Sequence, residues 1–467
     1  MMFEAMLQRF TKKSPVTVMA RVAIERALGA EHLDGLFKKK AVSQYEKQIM
    51  FSALVDLMSL VVCKVYSHVS AAYRAVSDTL PASLQAVYDK LKGVEKPVLV
   101  GLVHHTYDQL APVITAMKAR TKSWLPGYHV RILDGNHLPA TERRLKALRG
   151  SVAGPLPGHS LVIVDPQLGL VSDVIPCEDA HAQERSLLGE VLDLVRKLDV
   201  WLGDRNFCTL GFLFGIAKRD AYFVIRQHAN LPIESAGTVH DKGRCSTGRV
   251  TEQKVTIKLA SEVKGEPDQS LELRRITLHL DEPTRDGDIE MSVLTNVPAK
   301  DLPAIAGVEL YRKRWTIETM FQKVEQVLNS ELSTLGYPKA ALFGFAVALC
   351  AFNVYSVVQA ALEVRFGEDV VREEVSGYSI ADEIRVVQGG MDVALDDEIW
   401  DRYRIMSASE LARELIAMSE HVNLARYKKT KRGPKKPVPK RTKYVNDSHV
   451  STARLLTRAG AEDPTSS

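Results

Sequence analysis

The stretch Tyr128-His-Val-Arg-Ile-Leu-Asp-Gly-Asn136 is a short, β-prone apolar run that ends in a carboxylate followed by turn-forming residues. A second stretch, Asp199-Val-Trp-Leu-Gly-Asp-Arg-Asn-Phe207, repeats this design and ends its apolar run at Asp204. A carboxylate at the end of a buried strand is costly unless it is paired or bound to a cation. Asp134 and Asp204 are therefore candidate metal ligands.

The segments around these two stretches alternate between strand and helix patterns. The predicted elements are strands at 130–134, 160–165, 169–175, 200–203 and 221–226, with helices at 180–198 and 209–218. Three strands, helix, strand, helix and strand is the element order of the ribonuclease H-like fold. In that fold the first Asp lies on the first strand and the second lies just after the fourth, which are the places of Asp134 and Asp204. We therefore predict an α/β protein with a ribonuclease H-like catalytic core.

A third acidic residue is contributed by residues 309–325, which contain neither Gly nor Pro and are predicted to form one helix. Tyr311, Arg314 and Glu318 share one stripe of this helix, because residues three, four or seven apart lie on one face. On its own, the stretch is explained equally well as an amphipathic surface helix with ordinary charge pairs. Together with the two strand-end aspartates, Glu318 completes an all-oxygen set of the kind that Mg²⁺ prefers.

Together these residues resemble a DDE transposase of bacterial insertion sequences, in the IS-four branch. That branch is marked by Tyr, two residues, Arg, three residues, Glu, six residues and Lys, and Tyr311, Arg314 and Glu318 match the first three positions. The fourth position is Glu325 in this chain. The nearest lysine, Lys323, lies roughly 120° from the Tyr311 stripe at about 100° per residue.

The resemblance implies cut-and-paste transposition by Mg²⁺-dependent phosphodiester hydrolysis and strand transfer at terminal inverted repeats. It implies that Asp134, Asp204 and Glu318 hold two Mg²⁺ ions, for which Mn²⁺ is able to substitute. The implied DNA-binding residues are Tyr311, Arg314 and Lys323. The implied partner is double-stranded DNA, both as terminal inverted repeats and as target DNA. The resemblance implies that a homodimer binds this DNA and that no membrane is involved.

Two other functions stay open. A DNA-binding regulator of transposition that has lost catalysis is favoured by Glu325 at the lysine position and opposed by three intact carboxylates. A general nuclease of the same fold would cut DNA that lacks terminal repeats. Asp165 and Asp173 are alternative ligands, because one ends a strand and the other lies within one. Asp134 ranks above Asp165 because Gly-Asn follows it, as in the family's first motif.

The composition is that of an ordinary globular protein, with 45% hydrophobic and 25% charged residues. The net charge of +5 is modest, so a nucleic-acid partner must be argued from where the charge lies. The five cysteines are scattered and odd in number, which predicts a reducing, cytoplasmic setting. The family resemblance further implies association with the nucleoid when the protein is bound to DNA. The charge-free run at 340–362 contains polar residues and is predicted to be a buried core helix rather than a membrane span.

Composition shifts divide the chain into regions. The predicted domains are a helical region at 1–125, the catalytic core at 126–226 and 302–362, a β-rich insertion at 227–301, a helical region at 363–425 and a basic tail at 426–467. The family resemblance, rather than a residue pattern, implies that the region 1–125 is the DNA-end-binding domain. Within the first region, helices are predicted at 15–28, 43–65 and 82–91. Residues 426–443 contain ten basic and no acidic side chains, which favours contact with a phosphate backbone, although a solubilising tail is the alternative.

Overall fold

The structure is a computed structural model that describes residues 2–44, 48–120, 122–261, 268–284, 287–315, 317, 320–321, 327–430 and 449–462. Three residues of the proposed signature, Glu318, Lys323 and Glu325, lie outside the described residues. The same holds for the part of the basic run from 431 to 443.

A helical region precedes the sheet, as predicted. Its helices are Met2–Lys13 (α1), Pro15–Leu28 (α2), Ala30–Lys40 (α3), Phe51–Val62 (α4), Val69–Val76 (α5), Leu84–Gly93 (α6) and Lys96–Met117 (α7). The prediction of a helix over 43–65 is wrong at its start, because α4 begins only at Phe51. The backbone N–H groups of Val42 and Ser43 instead donate to the Glu95 carboxylate at 2.6 and 2.8 Å, which holds this part of the chain as a loop.

The central sheet has the predicted ribonuclease H-like order. Its first strands are His129–His137 (β1), Gly154–Leu156 (β2), His159–Asp165 (β3), Leu170–Cys177 (β4), Asp199–Gly203 (β5) and Tyr222–Arg226 (β6). In the described residues the strands lie in the order β4-β3-β1-β5-β6, while β2 lies outside this sheet. β1 is antiparallel to β3 and parallel to β5, and β5 is parallel to β6. The predicted fold class is therefore confirmed.

Helices cover both faces of this sheet. A 3-10 turn at Glu184–Leu187 leads into Leu188–Leu194 (α8), which is shorter than the helix predicted over 180–198. Together with Leu210–Ala217 (α9), it packs on the face that buries Leu133 and Trp201. The neighbouring residues of the same strands, Ile132 and Leu202, are buried in the core on the opposite face with α7. This alternation is what a strand covered on both sides requires.

The β-rich insertion continues the same sheet. Its strands are Ser235–Cys245 (β7), Gly248–Leu259 (β8), Gln269–Leu280 (β9) and Glu290–Thr295 (β10), and they extend the order as β6-β10-β9-β8-β7. Asn296 ties β10 to β6, because its side chain accepts from the Phe223 N–H at 2.9 Å and donates to the Ala221 carbonyl at 3.0 Å. The insertion is thereby anchored to the strand next to β5.

The helix Pro338–Phe366 (α11) passes through the centre of the fold. By length and composition it could cross a membrane, yet 89% of its most apolar window is buried by the rest of the protein. Asn353, which is fully buried, donates to the Val171 carbonyl at 2.9 Å and accepts from the Val171 N–H at 2.8 Å. The run at 340–362 is thus a buried core helix, as predicted.

The C-terminal helices pack on the N-terminal ones. They are Glu368–Glu374 (α12), Gly377–Ala394 (α13), Asp401–Ile405 (α14) and Ala408–Ser419 (α15), followed by the strand His449–Ser451 (β11) and the helix Thr452–Glu462 (α16). Arg404 forms a 2.7 Å ion pair with the buried Glu25 of α2, and Arg26 donates to the Met406 carbonyl at 3.1 Å. The two helical regions that flank the core in sequence therefore contact each other directly.

Candidate active site

Asp204 directly follows the end of β5, whereas Asp134 lies within the neighbouring parallel strand β1, which runs on to His137 instead of stopping at Asp134 as predicted. Leu133 of β1 is paired in register with Gly203 of β5, so the next residue on each strand is one of the aspartates. Neighbouring strands are about 4.8 Å apart, and side chains two residues apart lie on the same face. Asp204 keeps an extended backbone, with φ −74° and ψ 169°, so this alternation continues past the end of β5. Both carboxylates therefore belong to one edge and one face of the sheet.

Arg314 reaches Asp134 from the chain that follows the insertion. Its Nη1 donates to Asp134 Oδ2 at 3.0 Å, and the two side chains are only 6% and 19% exposed. The helix Ala304–Arg312 (α10) tightens into a 3-10 turn at Lys313–Trp315, where the sequence predicted an uninterrupted α-helix. Residues three apart on a helical segment lie on neighbouring positions of one face. The Arg314 guanidinium accordingly lies near the Tyr311 ring, 5.8 Å from its centroid.

The electrostatics of this cluster hold the guanidinium charged and the phenol neutral. Burial raises the pKa of Tyr311 to about 12, and the negative charge of Asp204 adds to this effect while Arg314 opposes it. Burial acts to lower the pKa of Arg314, but Tyr311, Asp134 and Asp204 together raise it above its ordinary value. Since Asp204 acts on both side chains, the four groups share one local environment.

The third predicted ligand, Glu318, lies outside the described residues, and so does the predicted DNA contact Lys323. In the part of the chain that the structure describes, there is no group of three or more His, Cys, Asp and Glu side chains that could hold a metal ion. What the described residues bring together is the pair of aspartates with Tyr311 and Arg314. The Asp134 carboxylate also accepts from the Gly135 N–H at 3.0 Å.

Glu184 contacts the residues that follow the two aspartates, Gly135 in β1 and Asn206 in the 3-10 turn after β5, and the sequence did not predict this. Its Oε2 accepts from Asn206 Nδ2 at 2.5 Å, and Arg185 Nε donates to the Asn206 carbonyl at 2.8 Å. The Glu184 carboxylate also lies directly against Gly135, where a Cβ would come within 2.6 Å of the carboxyl carbon. One signal existed in the sequence, because a glycine beside a candidate ligand indicates close approach of another group.

The alternative ligands Asp165 and Asp173 have structural partners elsewhere. Asp165 bonds Arg131 and the Tyr107 hydroxyl, each at 2.9 Å. Since β3 is antiparallel to β1, Asp165 lies at the edge of the sheet opposite to Asp134. Asp173 pairs with His104 Nδ1 at 2.8 Å. Neither carboxylate belongs to the cluster around Arg314.

The family described as "Transposase DDE domain" matches residues 125–353, a span that contains both aspartates and Arg314. A curated relative from Sinorhizobium fredii (strain NBRC 101917 / NGR234), named "Putative transposase y4zB", is 31% identical over 129 residues, which make up 28% of this chain. The match covers 34% of that relative, so the chain spans about a third of its length.

Among solved structures, this chain is similar to the cryo-EM structure of a piggyBac transposase synaptic complex with hairpin DNA. The match covers 85% of this chain and 84% of the chain in that structure. The TM-score is 0.38 at 11% identity, and an overlap this loose carries no inference about this chain. The IS-four branch stays a prediction. The family match rests on the segment that holds the sheet and the aspartate pair, and residues 125–353 accordingly form a DDE transposase domain.

Proposed function

We propose that this protein carries out cut-and-paste transposition of an insertion sequence by metal-dependent hydrolysis and strand transfer at terminal inverted repeats. The observation that carries the proposal is the register of β1 and β5, in which Asp134 and Asp204 directly follow the last paired residues, Leu133 and Gly203. The substrate is double-stranded DNA, bound by a homodimer in a cytoplasmic, nucleoid-associated setting.

The described side chains fit a divalent cation. Two carboxylates on one edge offer the hard oxygen donors that Mg²⁺ and Mn²⁺ prefer. Their repulsion is partly compensated by the guanidinium of Arg314, which lies 3.0 Å from Asp134. Asp134, Asp204 and Glu318 would hold the cations, which supply Lewis acidity that activates a hydroxyl nucleophile and stabilises the leaving oxygen.

The chain's own residues position the DNA for an in-line displacement. A guanidinium has five N–H donors, so Arg314 can bond Asp134 and also a phosphate oxygen beside the scissile bond. The Tyr311 phenol keeps its proton because its pKa is about 12, and it can donate a hydrogen bond to a nearby phosphate. Lys323 would add a further phosphate contact.

The reaction proceeds by substitution at phosphorus. The oxygen of water forms a bond to phosphorus as the bond to the 3′-oxygen breaks, which leaves a 3′-hydroxyl at the element end. That hydroxyl then attacks a phosphate of the target strand and displaces its 3′-oxygen. No covalent bond to the protein forms, so no Ser or Tyr nucleophile is required.

Alanine substitution of Asp204 or Glu318 tests the proposal. Each variant should lose strand cleavage and keep most of its DNA binding, since the carboxylates bind cations rather than DNA. Asp193→Ala is the matched control, because Asp193 is an exposed aspartate on α8, before β5, and so near the opposite edge of the sheet.

The assay is nicking of a supercoiled plasmid that carries the element, with Mg²⁺ or Mn²⁺. Cleavage that persists in Asp204→Ala rules out the assigned site. Binding of paired ends by the wild type, without cleavage in either metal, selects the inactive regulator instead. Equal cleavage of plasmids with and without the terminal repeats selects a general nuclease.

A further inference from the structure

The last described segment, residues 449–462, returns to the catalytic core. Strand β11 pairs with β2 in parallel, with Val450 opposite Pro155. Arg454 of α16 forms two contacts with Asp179, at 2.9 and 2.8 Å. Ser451 and Thr452 are fully buried at this junction. Residues 449–462 therefore pack against the catalytic core, although the sequence analysis assigned them to a basic tail.

This segment docks beside the loop that leaves β1 after Asp134. Helix α16 packs against the 3-10 turn Lys146–Leu148 within that loop. The loop also contacts the chain that follows α10, because the Glu142 N–H donates to the Ser333 carbonyl at 2.8 Å. Because β1 runs toward its end at His137 past Asp134, the loop and α16 lie at the edge of the sheet that carries the aspartates.

Three cations are exposed on these two elements. Lys146 and Arg149 lie on the loop, and Arg458 lies on α16, four residues after Arg454 and hence on the same face of the helix. Among the described residues, Arg144 forms an ion pair with Glu142 and Arg454 forms one with Asp179. The ion pairs of these residues do not include Lys146, Arg149 or Arg458. Lys146, Arg149 and Arg458 thus leave positive charge at the surface beside the site.

We propose that Lys146, Arg149 and Arg458 form one composite surface, the C-terminal basic surface, which binds the phosphate backbone of duplex DNA next to the aspartate pair. This inference rests on the proposed function for the identity of its partner. Exposed basic side chains that contact phosphates position a duplex without reading its sequence. The surface would therefore hold the DNA that flanks the scissile phosphate, whatever its base sequence.

The composite nature of the surface gives the sharpest test. Arg458 lies far from Lys146 in sequence and reaches the same region only through the docking of β11 and α16. Each phosphate contact contributes about 0.9 to the slope of log affinity against log salt concentration. We expect Arg458→Ala to lower the magnitude of that slope by about 0.9, and the triple variant with Lys146→Ala and Arg149→Ala to lower it by about 2.7, three times as much.

The measurement is fluorescence anisotropy of a labelled duplex of mixed sequence, titrated with the full-length protein at several NaCl concentrations. Lys218→Ala with Arg219→Ala is the matched control, because these exposed cations follow α9 at the edge where β6 begins, away from the aspartates. The control should keep the wild-type slope. Arg458→Lys, which keeps the charge, should also keep it, and this separates a lost contact from a lost fold.

A wild-type slope in Arg458→Ala overturns the composite surface, and so does a triple variant that matches the control. The catalytic proposal fails separately. If Asp204→Ala still cleaves DNA while the triple variant loses its salt slope, the assigned active site is wrong and the basic surface stands.

Discussion

Replacing Arg314 with alanine should destabilise the protein and make its stability depend more strongly on Mg²⁺. Arg314 Nη1 lies 3.0 Å from Asp134 Oδ2, with side-chain exposures of 6% and 19%. Removing one partner of a buried ion pair costs on the order of 3 to 5 kcal/mol, because it leaves an uncompensated charge. Asp134 keeps some contact with solvent, so we expect a loss near the lower end, about 3 kcal/mol.

A bound cation should offset this loss. A ligand present at 100 times its Kd stabilises the folded state by about 2.7 kcal/mol. In the wild type the guanidinium and the cation compete for the same carboxylate, so Mg²⁺ should stabilise Arg314→Ala more than it stabilises the wild type. The assay is urea unfolding followed by tryptophan fluorescence, with and without MgCl₂.

Asp134→Asn is the background that isolates the pair. In the Asp134→Asn background, Arg314→Ala should lower the free energy of unfolding by about 1 to 3 kcal/mol less than it does in the wild type. This difference is the coupling energy expected between contacting residues. Equal destabilisation in both backgrounds would show that the ion pair contributes nothing. Equal stabilisation of wild type and Arg314→Ala by Mg²⁺ would refute the reasoning that the cation binds at Asp134.

Three further outcomes are expected. Glu184→Ala should raise the Mg²⁺ concentration required for half-maximal cleavage, because the Asn206 side chain loses its hydrogen-bond acceptor, whereas Glu184→Gln should keep activity. Gly135→Ala should have the same effect as Glu184→Ala, because the new Cβ would displace the Glu184 carboxylate. Normal cleavage by both alanine variants would exclude a positioning role for Glu184. Tyr311 has a folded pKa of about 12, above its unfolded value of about 10, so it contributes stability that is present below pH 10 and lost as pH rises through 12. Tyr311→Phe should lack this part of the alkaline decline in the free energy of unfolding, and an unchanged decline would contradict the assignment. Asn296→Ala should cost about 2 kcal/mol of unfolding free energy, since two hydrogen bonds between β10 and β6 are lost at about 1 kcal/mol each, and a midpoint like the wild type's would refute that role.

The core of the fold could be predicted because its strands are buried on both faces and appear as short apolar runs. β1 and β5 are of this kind, and each apolar run is followed by a carboxylate, so the sequence alone indicated which aspartates to compare; that β1 continues past Asp134 to His137 was not predicted. What it did not contain was their register. The pairing of Leu133 with Gly203 depends on the packing of the whole sheet.

Elements without an apolar pattern were missed. β7 is exposed along almost its whole length, so the alternation that predicts a strand is absent from residues 235–245. β11 has three residues and forms only because β2 offers a partner. Both are strands by virtue of tertiary pairing, which no local pattern records.

Side-chain roles that depend on distant contacts were also missed. Glu184 was predicted only as part of a helix, and its link to Asn206 follows from the packing of its 3-10 turn against β1. The predicted helix over 309–325 correctly grouped Tyr311 with Arg314. It did not predict the 3-10 turn that brings the guanidinium onto Asp134.

The central claim is that Asp134 and Asp204 bind a common set of divalent cations. The most direct measurement is anomalous X-ray diffraction from crystals of the full-length protein with duplex DNA and Mn²⁺. The account predicts an anomalous peak in contact with both carboxylates, and its loss in Asp204→Ala crystals. A Mn²⁺ peak bound elsewhere, with none between Asp134 and Asp204 in a DNA complex competent for cleavage, would contradict it.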